Sequence, residues 1–336
     1  MELDEFADEA GRAVLRQQNA RLRSQLKAAE SELVDLHGQL ALLERIDELD
    51  PTPPKWPSPK KPGPREAVVV AMLSDCHFDE IVRPEDIGGV NAYDRTIATA
   101  RLQAWAEGVC LAIETGPAVD CKGLILLMGG DMLTGPIDVA HLQDSADTLF
   151  GSLLYWSEQI AAAILLLADT FGKVHVPVVV GNHGRLELQK RTHLAAKSNS
   201  DWHLGHLVAR QLADDDRITF QIDESPDAEF DVMGQRHLLT HGDQVKGGSG
   251  IGGIWPPIMR LTARKQQRAA QMGRPFQHLW MGHFHQATFG PQFTVNSSLK
   301  GYDAYASVNG FPAEPPQQVV AIVDRSRIVW RTTVVV

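Results

Sequence analysis

The stretch 68-VVVAMLSDCH-77 joins six apolar residues to two potential metal ligands, Asp75 and His77. A continuous apolar run is typical of a strand that is buried on both faces, as in a parallel sheet covered by helices. Polar groups that follow such strands gather at the carboxyl edge of the sheet. The stretch therefore predicts a buried strand that ends at a functional edge.

Four later segments repeat this arrangement after the apolar runs 124–128, 174–180, 237–240 and 279–281. They are Gly130-Asp131, Gly181-Asn182-His183, Thr240-His241-Gly242-Asp243 and Gly282-His283-Phe284-His285. Five strand ends could therefore converge on one site. Period-two alternation sends His283 and His285 the same way, so both can ligate around the spacer Phe284, and the same argument applies to Asp75 and His77 around Cys76.

The segments between these strands favour an α/β fold. Residues 91–115 and 140–170 read as helices between the early strands, which is typical of a layered α/β domain. The runs 288–295 and 319–336 read as strands without long helices between them, which predicts a second, partly antiparallel sheet. A Gly-rich loop and a helix over 260–272 are expected between 245 and 275.

The ordered motifs D-x-H, G-D, G-N-H, H and G-H-x-H span about 210 of the 336 residues. Together they resemble the calcineurin-like metallophosphoesterase family. Segments 91–94 and 298–303 are similar to phage and bacterial members that are often labelled repair exonucleases. The resemblance implies a layered β-sandwich flanked by helices and a dinuclear metal centre.

The resemblance also implies which residues hold two divalent metal ions. One ion would be held by Asp75, His77, Asp131 and His285, and the other by Asp131, Asn182, His241 and His283, so Asp131 would bridge them. Two such cations lower the pKa of a shared water, which gives a bridging hydroxide, and they stabilise charge on a phosphoryl group. Nitrogen and oxygen donors suit Mn²⁺, our first expectation, or Fe, Zn²⁺ or Ni²⁺ better than Mg²⁺ alone.

His183 takes the remaining role that the resemblance implies: it would contact the phosphate and could protonate the leaving oxygen. Many family members place an acidic residue directly after G-N-H, whereas this chain has Gly184 and Arg185. The orientation of His183 is therefore open, and Arg185 could bind the substrate phosphate or be a plain surface charge.

Charge distribution gives the main indication of substrate. The chain carries a net charge of −10, yet no acidic residue lies between Asp243 and Asp303, where seven Lys and Arg residues occur. The segment 185–210 is also basic and contains Trp202, which favours a nucleic-acid backbone but also fits a charged cover over the sheet. We expect a DNA phosphodiesterase or nuclease; the alternatives are a phosphomonoesterase and an oligomeric scaffold with a structural metal site.

The N-terminal region has a different pattern. Residues 15–43 repeat leucines in a heptad, with Asn19 at one a position, which predicts an oligomerising coiled coil over 1–50, a dimer first. The alternative is one amphipathic helix packed on the catalytic domain. A Pro-rich linker over 51–65 and a catalytic domain over 66–336 follow.

Composition sets the expected compartment. Three cysteines form no disulfide framework, and the acidic N-terminus is not a secretory signal. No uninterrupted apolar run reaches the roughly 18 residues of a membrane span. The sequence therefore predicts a cytoplasmic enzyme without a membrane partner.

Overall fold

A computed structural model describes residues 2–47, 64–136, 145–245 and 252–336. The chain divides into two compact units, Met1–Lys61 and Pro62–Val336. Each unit is described by itself below.

The first unit contains one long helix, α1 (Glu2–Asp47), where the sequence predicts a helix. The heptad leucines are exposed along it; Leu22 is 58% exposed and Leu36 is 54% exposed. The self-association expected of this seam stays a prediction. The Pro-rich stretch lies outside the described residues except for its last positions.

The second unit contains a six-stranded sheet in the order β11-β10-β1-β2-β3-β4. The strands β1 to β4 run parallel, whereas β10 and β11 are antiparallel to their neighbours. Their bounds are β1 (Arg65–Leu73), β2 (Val119–Met128), β3 (Val174–Val178), β4 (Ile218–Ile222), β10 (Gln317–Asp324) and β11 (Ile328–Val335).

A second, five-stranded sheet has the order β5-β6-β7-β9-β8 and is mixed, as predicted. Its strands are β5 (Asp227–Val232), β6 (Gln235–Thr240), β7 (His278–Met281), β8 (Thr288–Phe289) and β9 (Phe293–Val295). The strands that carry His241 and His283 therefore belong to this sheet, while those before Asp75, Asp131 and Asn182 belong to the first.

Helices cover the outer faces of both sheets: α2 (Arg95–Thr115), α3 (Leu149–Phe171) and α4 (Ser200–Gln211) lie on the first sheet, and α5 (Trp255–Gln271) lies on the second. A 3₁₀ turn at Pro84–Ile87 and the short α6 (Ala304–Val308), which buries no residue, complete the described helices. Residues of α2, α3 and α4 form one core cluster with alternate residues of the first sheet. Residues from both sheets form a second cluster, and α5 packs on the second sheet in a third. The predicted β-sandwich flanked by helices is confirmed.

Several predicted boundaries are wrong for identifiable reasons. The helix expected from 91 begins at Arg95, because Asp94 caps it by accepting a hydrogen bond from the Ile97 amide at 2.8 Å. The helix expected from 140 begins at Leu149, capped by Thr148. Residues 137–144 lie outside the described part of the chain.

The C-terminal strands also differ from the expectation. The run 288–295 is a hairpin of two short strands, β8 and β9. The strands of 319–336 extend the first sheet and do not join the second, since β10 pairs with β1. The helix α5 begins earlier than predicted, at Trp255, with Pro256 and Pro257 in its first turn.

One helix among the described residues, α3, is long and apolar enough by length and composition to cross a membrane. The run-length test missed it because polar residues such as Glu158 interrupt it. Its residues Trp156, Ile160 and Ile164 are fully buried in the core of the second unit. It is therefore a core helix of this fold.

Candidate metal centre

The backbone at the strand ends is unusual. Asp75, His77, Asp131, His283 and His285 all have positive φ, between 46° and 72°. Non-glycine residues rarely adopt this left-handed conformation, and they cluster at functional sites when they do. The predicted alternation along continuing strands is therefore wrong as the reason why these side chains meet. Each strand ends first, and a left-handed loop residue then turns its side chain.

Motif glycines make room for carboxylates that come from other motifs. A Cβ on Gly181 would lie 2.0 Å from Asp131 Oδ1, and a Cβ on Gly282 would lie 2.2 Å from Asp75 Oδ2. Each glycine of G-N-H and G-H-x-H is thus required by the close approach of an acidic side chain.

Hydrogen bonds join the loops of the two sheets. The His283 amide donates to Asp75 Oδ1 at 2.8 Å, and the His183 amide donates to Asp131 Oδ1 at 2.7 Å. The Gly282 amide donates to the His241 carbonyl at 2.9 Å. The bond to Asp75 joins the loops of the two sheets, whereas the other two bonds hold neighbouring loops of one sheet together.

One group of metal-capable side chains consists of Asp75, His77 and His285, whose ligating atoms lie within 4.8 Å of one another. His285 Nε2 lies 3.2 Å from His77 Nε2 and 3.4 Å from Asp75 Oδ1. Nitrogen or oxygen atoms bound at about 2.1 Å to one tetrahedral ion lie about 3.4 Å apart. The spacing of these three atoms therefore fits a single cation.

A second group consists of Asp131, His241 and His283, again within 4.8 Å. His241 Nε2 lies 2.9 Å from Asp131 Oδ2. Nearby, Asn182 Oδ1 is buried and has no hydrogen-bond partner among the described residues. A buried amide oxygen without a donor is costly unless something else satisfies it, and a metal ion does so. Asp131 lies in this group and not in the group of Asp75, so its role as a ligand that bridges both ions stays a prediction.

Protonation in this centre follows from burial and from the neighbouring charges. Burial alone would raise the pKa of Asp131, but His241 holds it well below its usual range. Burial opposes protonation of His241 too, yet Asp131 raises the pKa of His241 to about 10. Burial lowers the pKa of His283 to about 4. Since a metal ligand must be unprotonated, cation binding here is coupled to loss of the His241 proton.

Sequence reasoning missed Glu80, which is buried beneath His77. Its Oε1 lies 3.0 Å from His77 Nδ1, and it also accepts a short hydrogen bond from Thr134. Lys300 Nζ donates to Glu80 Oε2 at 2.7 Å. Because a carboxylate only accepts, His77 donates from Nδ1 and keeps the Nε2 lone pair for a ligand. The signal in the sequence was the acidic residue three positions after His77.

A second missed residue is Asp201, which is fully buried at the start of α4. Its carboxylate accepts backbone hydrogen bonds at 2.9 Å from Asp131 and Gly181, and at 3.1 Å from Met132. It therefore braces the G-D and G-N-H loops together. No local motif announced it, because the contact to Asp131 spans 70 positions.

The absent acidic residue after G-N-H has a steric explanation. A Cβ on Gly184 would lie 2.3 Å from Asn199 Oδ1 and 3.0 Å from Asp201 Oδ2. The space beside this loop is already filled by the polar turn that begins α4. Glycine at position 184 therefore leaves room for the acidic side chain of Asp201, which takes the place of an acidic residue directly after G-N-H.

His183 contacts both groups, since its amide donates to Asp131 and its ring nitrogen lies within 4.8 Å of ligating atoms of His77 and Glu80. Burial lowers the pKa of His183 to about 4, and its ring meets the edge of His77 with centroids 4.8 Å apart. Arg185 Nε donates to the Asn182 carbonyl at 2.9 Å. In the described part of the chain, no carboxylate pairs with the Arg185 guanidinium, which leaves it able to bind an anion.

The basic segment 185–210 is largely neutralised. Lys197 lies 2.6 Å from Glu224, Lys190 pairs with Asp243, and Arg191 pairs with Glu187. These pairs surround a cavity of about 310 Å³ that reaches Asn182 and Arg185. The segment therefore does not form the continuous basic track that its composition suggested.

No protein-family model and no curated protein matches the chain. Solved structures with similarity include Vps29 complexed with zinc from Entamoeba histolytica, at 12% identity over 79% of this chain and 96% of that chain, with a TM-score of 0.34. A predicted phosphoesterase from Streptococcus pneumoniae is 11% identical over 80% and 97%, with a TM-score of 0.30. The sulfate thiohydrolase SoxB from Thermus thermophilus is 11% identical over 82% and 58%, with a TM-score of 0.31. All three TM-scores lie below 0.5.

Proposed function

We propose that the chain is a metal-dependent phosphoesterase of the calcineurin-like type. The observation that carries the proposal is the pair of ligand groups, one around Asp75 and one around Asp131, at the joined edges of two sheets. The unpartnered oxygen of Asn182 extends the second group. A ligand set of nitrogen and oxygen donors in a buried, preorganised cluster fits divalent cations.

Each side chain has a distinct task in this proposal. Bound metals would acidify water and stabilise the charge that builds on phosphoryl oxygens. The seven predicted ligands are Asp75, His77, Asp131, Asn182, His241, His283 and His285. Arg185 binds a phosphate oxygen through its guanidinium, which no carboxylate among the described residues occupies.

His183 contacts the phosphate in this proposal. Its lowered pKa keeps the ring neutral at neutral pH in the free protein. An adjacent phosphate dianion or monoanion favours the charged form, so substrate binding raises that pKa towards the range where a histidine can protonate a leaving oxygen.

A phosphodiester substrate, DNA first, remains our preferred substrate class. The alternative substrate, a phosphomonoester, is favoured by the cavity beside Asn182. Arg185 lines this cavity, and its guanidinium forms no ion pair with a carboxylate among the described residues. One such cation suits a single phosphate group better than a chain of phosphates.

The test uses protein reconstituted with Mn²⁺, and separately with Fe²⁺, Zn²⁺ and Ni²⁺. It is assayed on chromogenic bis- and mono-esters of phosphate and then on single- and double-stranded DNA. We expect turnover on at least one ester class, with Mn²⁺ the most effective. No turnover with any metal would leave the scaffold alternative and refute the proposal.

Asp131→Asn is the sharpest variant for the centre. It keeps the shape and removes one charged oxygen, so the fold should persist while activity falls by more than the roughly 100-fold that loss of an outer partner costs. Circular dichroism controls for folding. Retained activity would refute a bridging role for Asp131.

We further propose that residues 15–43 of α1 pair with a second copy of the chain in the cytoplasm. The exposed leucines and Asn19 at one a position support a two-stranded coiled coil. Deleting residues 1–50 should lower the number of chains per particle, from the mass measured by light scattering divided by the protomer mass, and leave ester hydrolysis intact. An unchanged number of chains per particle would discard the coiled coil.

A further inference from the structure

The basic residues between Asp243 and Asp303 divide into paired and unpaired ones. Lys265 lies 2.6 Å from Asp227, Arg274 lies 3.7 Å from Glu229, and Lys300 is buried against Glu80. Lys246 lies outside the described residues. The charges that can meet a partner are therefore fewer than the sequence suggested.

Three arginines on α5 differ from the others. Arg260, Arg264 and Arg268 are exposed, and no carboxylate in the described ranges pairs with them. They recur every four residues, so they lie along one side of the helix. At 1.5 Å per residue the row is about 12 Å long. We call these three residues the arginine row.

We propose that the arginine row docks the phosphate backbone of double-stranded DNA. Each DNA strand carries one charge per about 3.4 Å of helix axis, so about 12 Å of one strand presents three to four phosphates. Three guanidinium groups along that length match them in sign and number. Arginine is also the side chain whose fork best fits phosphate oxygens.

A lipid surface would need the apolar face of the same helix. That face is already used, because Ile258 is fully buried and packs with Leu238 and Phe293 in the core of the second sheet. An interfacial helix binds membranes by burying its apolar side among lipids. Trp255 and Met259, at the start of α5, are its exposed large apolar side chains, at 43% and 59%. They leave the rest of the exposed side charged and polar, which favours DNA over a membrane.

This inference deepens the proposed phosphoesterase function by naming the surface that would bind a DNA substrate, and it rests on that proposed function. Binding is therefore measured on the full chain in EDTA, where no hydrolysis occurs. Fluorescence anisotropy of a labelled duplex of about 20 base pairs, between roughly 50 and 200 mM KCl, gives the affinity and its salt dependence.

The test variant is R260Q/R264Q/R268Q, because glutamine keeps the helix and removes the charge. Three phosphate contacts contribute a salt slope of about −2.7, so the wild-type protein should lose about 40-fold more affinity over this salt range than the variant. The variant should hydrolyse the chromogenic diester as the wild type does, since these arginines are not part of the metal centre.

A matched control removes the same charge elsewhere. K173Q/R210Q/R327Q alters three exposed basic residues that also have no carboxylate partner in the described part of the chain. This control should keep the wild-type slope and affinity within about 2-fold. An equal loss in both variants would reduce the effect to net charge and overturn the proposal.

Other outcomes separate the surface from the enzyme. The proposal that the arginine row binds DNA would be overturned if R260Q/R264Q/R268Q kept the wild-type affinity and salt slope. It would also be overturned if the wild type bound no duplex at the lowest salt concentration. Binding to phosphatidylserine vesicles that needs the row, without DNA binding, would assign it to a membrane instead. Row-dependent DNA binding without any metal-supported ester hydrolysis would support the row and refute only the proposed function.

Discussion

Two groups of titratable side chains are buried in the second unit, and they hold their protons differently. The first, which we call the ionic chain, runs from His77 through Glu80 and Lys300 to Asp303, with Lys300 Nζ 2.7 Å from Glu80 and 2.6 Å from Asp303. The second, the histidine pair, comprises His237 on β6 and His278 on β7, whose rings lie 5.9 Å apart.

The difference follows from the available partners. Burial would raise the pKa of Glu80, but Lys300 and His77 hold it well below its usual range. In the histidine pair burial dominates, lowering the pKa of His237 to about 4 and that of His278 well below its usual range. These rings form hydrogen bonds with neutral groups: Trp280 Nε1 donates to His237 Nδ1 at 3.0 Å, and His278 Nε2 lies 2.9 Å from Thr294 Oγ1.

The buried side chains of the ionic chain therefore stay charged beside His77, a candidate metal ligand. The rings of the histidine pair, which only pack in the core, stay neutral. A buried ion pair adds little net stability, so its presence calls for another reason. In the ionic chain that reason is the orientation of His77, whose Nδ1 must donate to Glu80.

The largest effect should come from breaking the ionic chain at its cation. Lys300→Met leaves the buried carboxylate of Glu80 and the half-buried carboxylate of Asp303 without their cation, which should lower the free energy of unfolding by about 3–5 kcal/mol. Urea denaturation in EDTA measures it. The double variant E80Q/K300M removes the buried charge of both signs, leaves only the half-buried Asp303 unpaired, and should recover most of the loss. A loss below about 1 kcal/mol in Lys300→Met would mean that the chain is not held as ions.

A smaller effect should appear in metal affinity. Glu80→Ala removes the nearer, charged acceptor of the His77 Nδ1 hydrogen bond and leaves only Thr134 Oγ1 at 3.2 Å. The affinity for Mn²⁺ at the Asp75 group should therefore fall about 10- to 100-fold. Titration calorimetry measures this without turnover. Glu80→Gln keeps an acceptor oxygen and should retain most of the affinity. Equal losses in both variants would point to charge, not orientation, as the role of Glu80.

The ionic chain also explains what the sequence could predict. Asp75, His77 and Asp131 were identifiable because each follows an apolar run in a fixed order. Their support was not, because Lys300 meets Glu80 across 220 positions. Only the folded chain brings such residues together.

The same limit applies to the strands and the surface charges. The run 319–336 predicted strands in that part of the chain, but not that they extend the first sheet, because pairing joins distant segments. The basic stretch after Asp243 likewise gave no sign that Lys265 is neutralised by Asp227. Local composition records charge, whereas its partners depend on the tertiary fold.

The smallest effect should come from the histidine pair and appears only in acid. An unfolded histidine takes up a proton below a pH of about 6.5, whereas His237 in the fold resists protonation until about 4. The unfolded state therefore binds more protons in this window, and stability falls as pH falls. From a pH of about 7.5 to about 5, protonation linked to His237 should lower the free energy of unfolding by about 2 kcal/mol.

The variant His237→Gln tests this, because glutamine can still accept the hydrogen bond from Trp280 but does not titrate. In urea denaturation, the free energy of unfolding of this variant should fall by about 2 kcal/mol less than that of the wild type over the same pH range. E80Q/K300M should keep the wild-type pH dependence, because Glu80 titrates well below this window and Lys300 above it. If His237→Gln and the wild type lost equal stability, His237 would not be held neutral by burial.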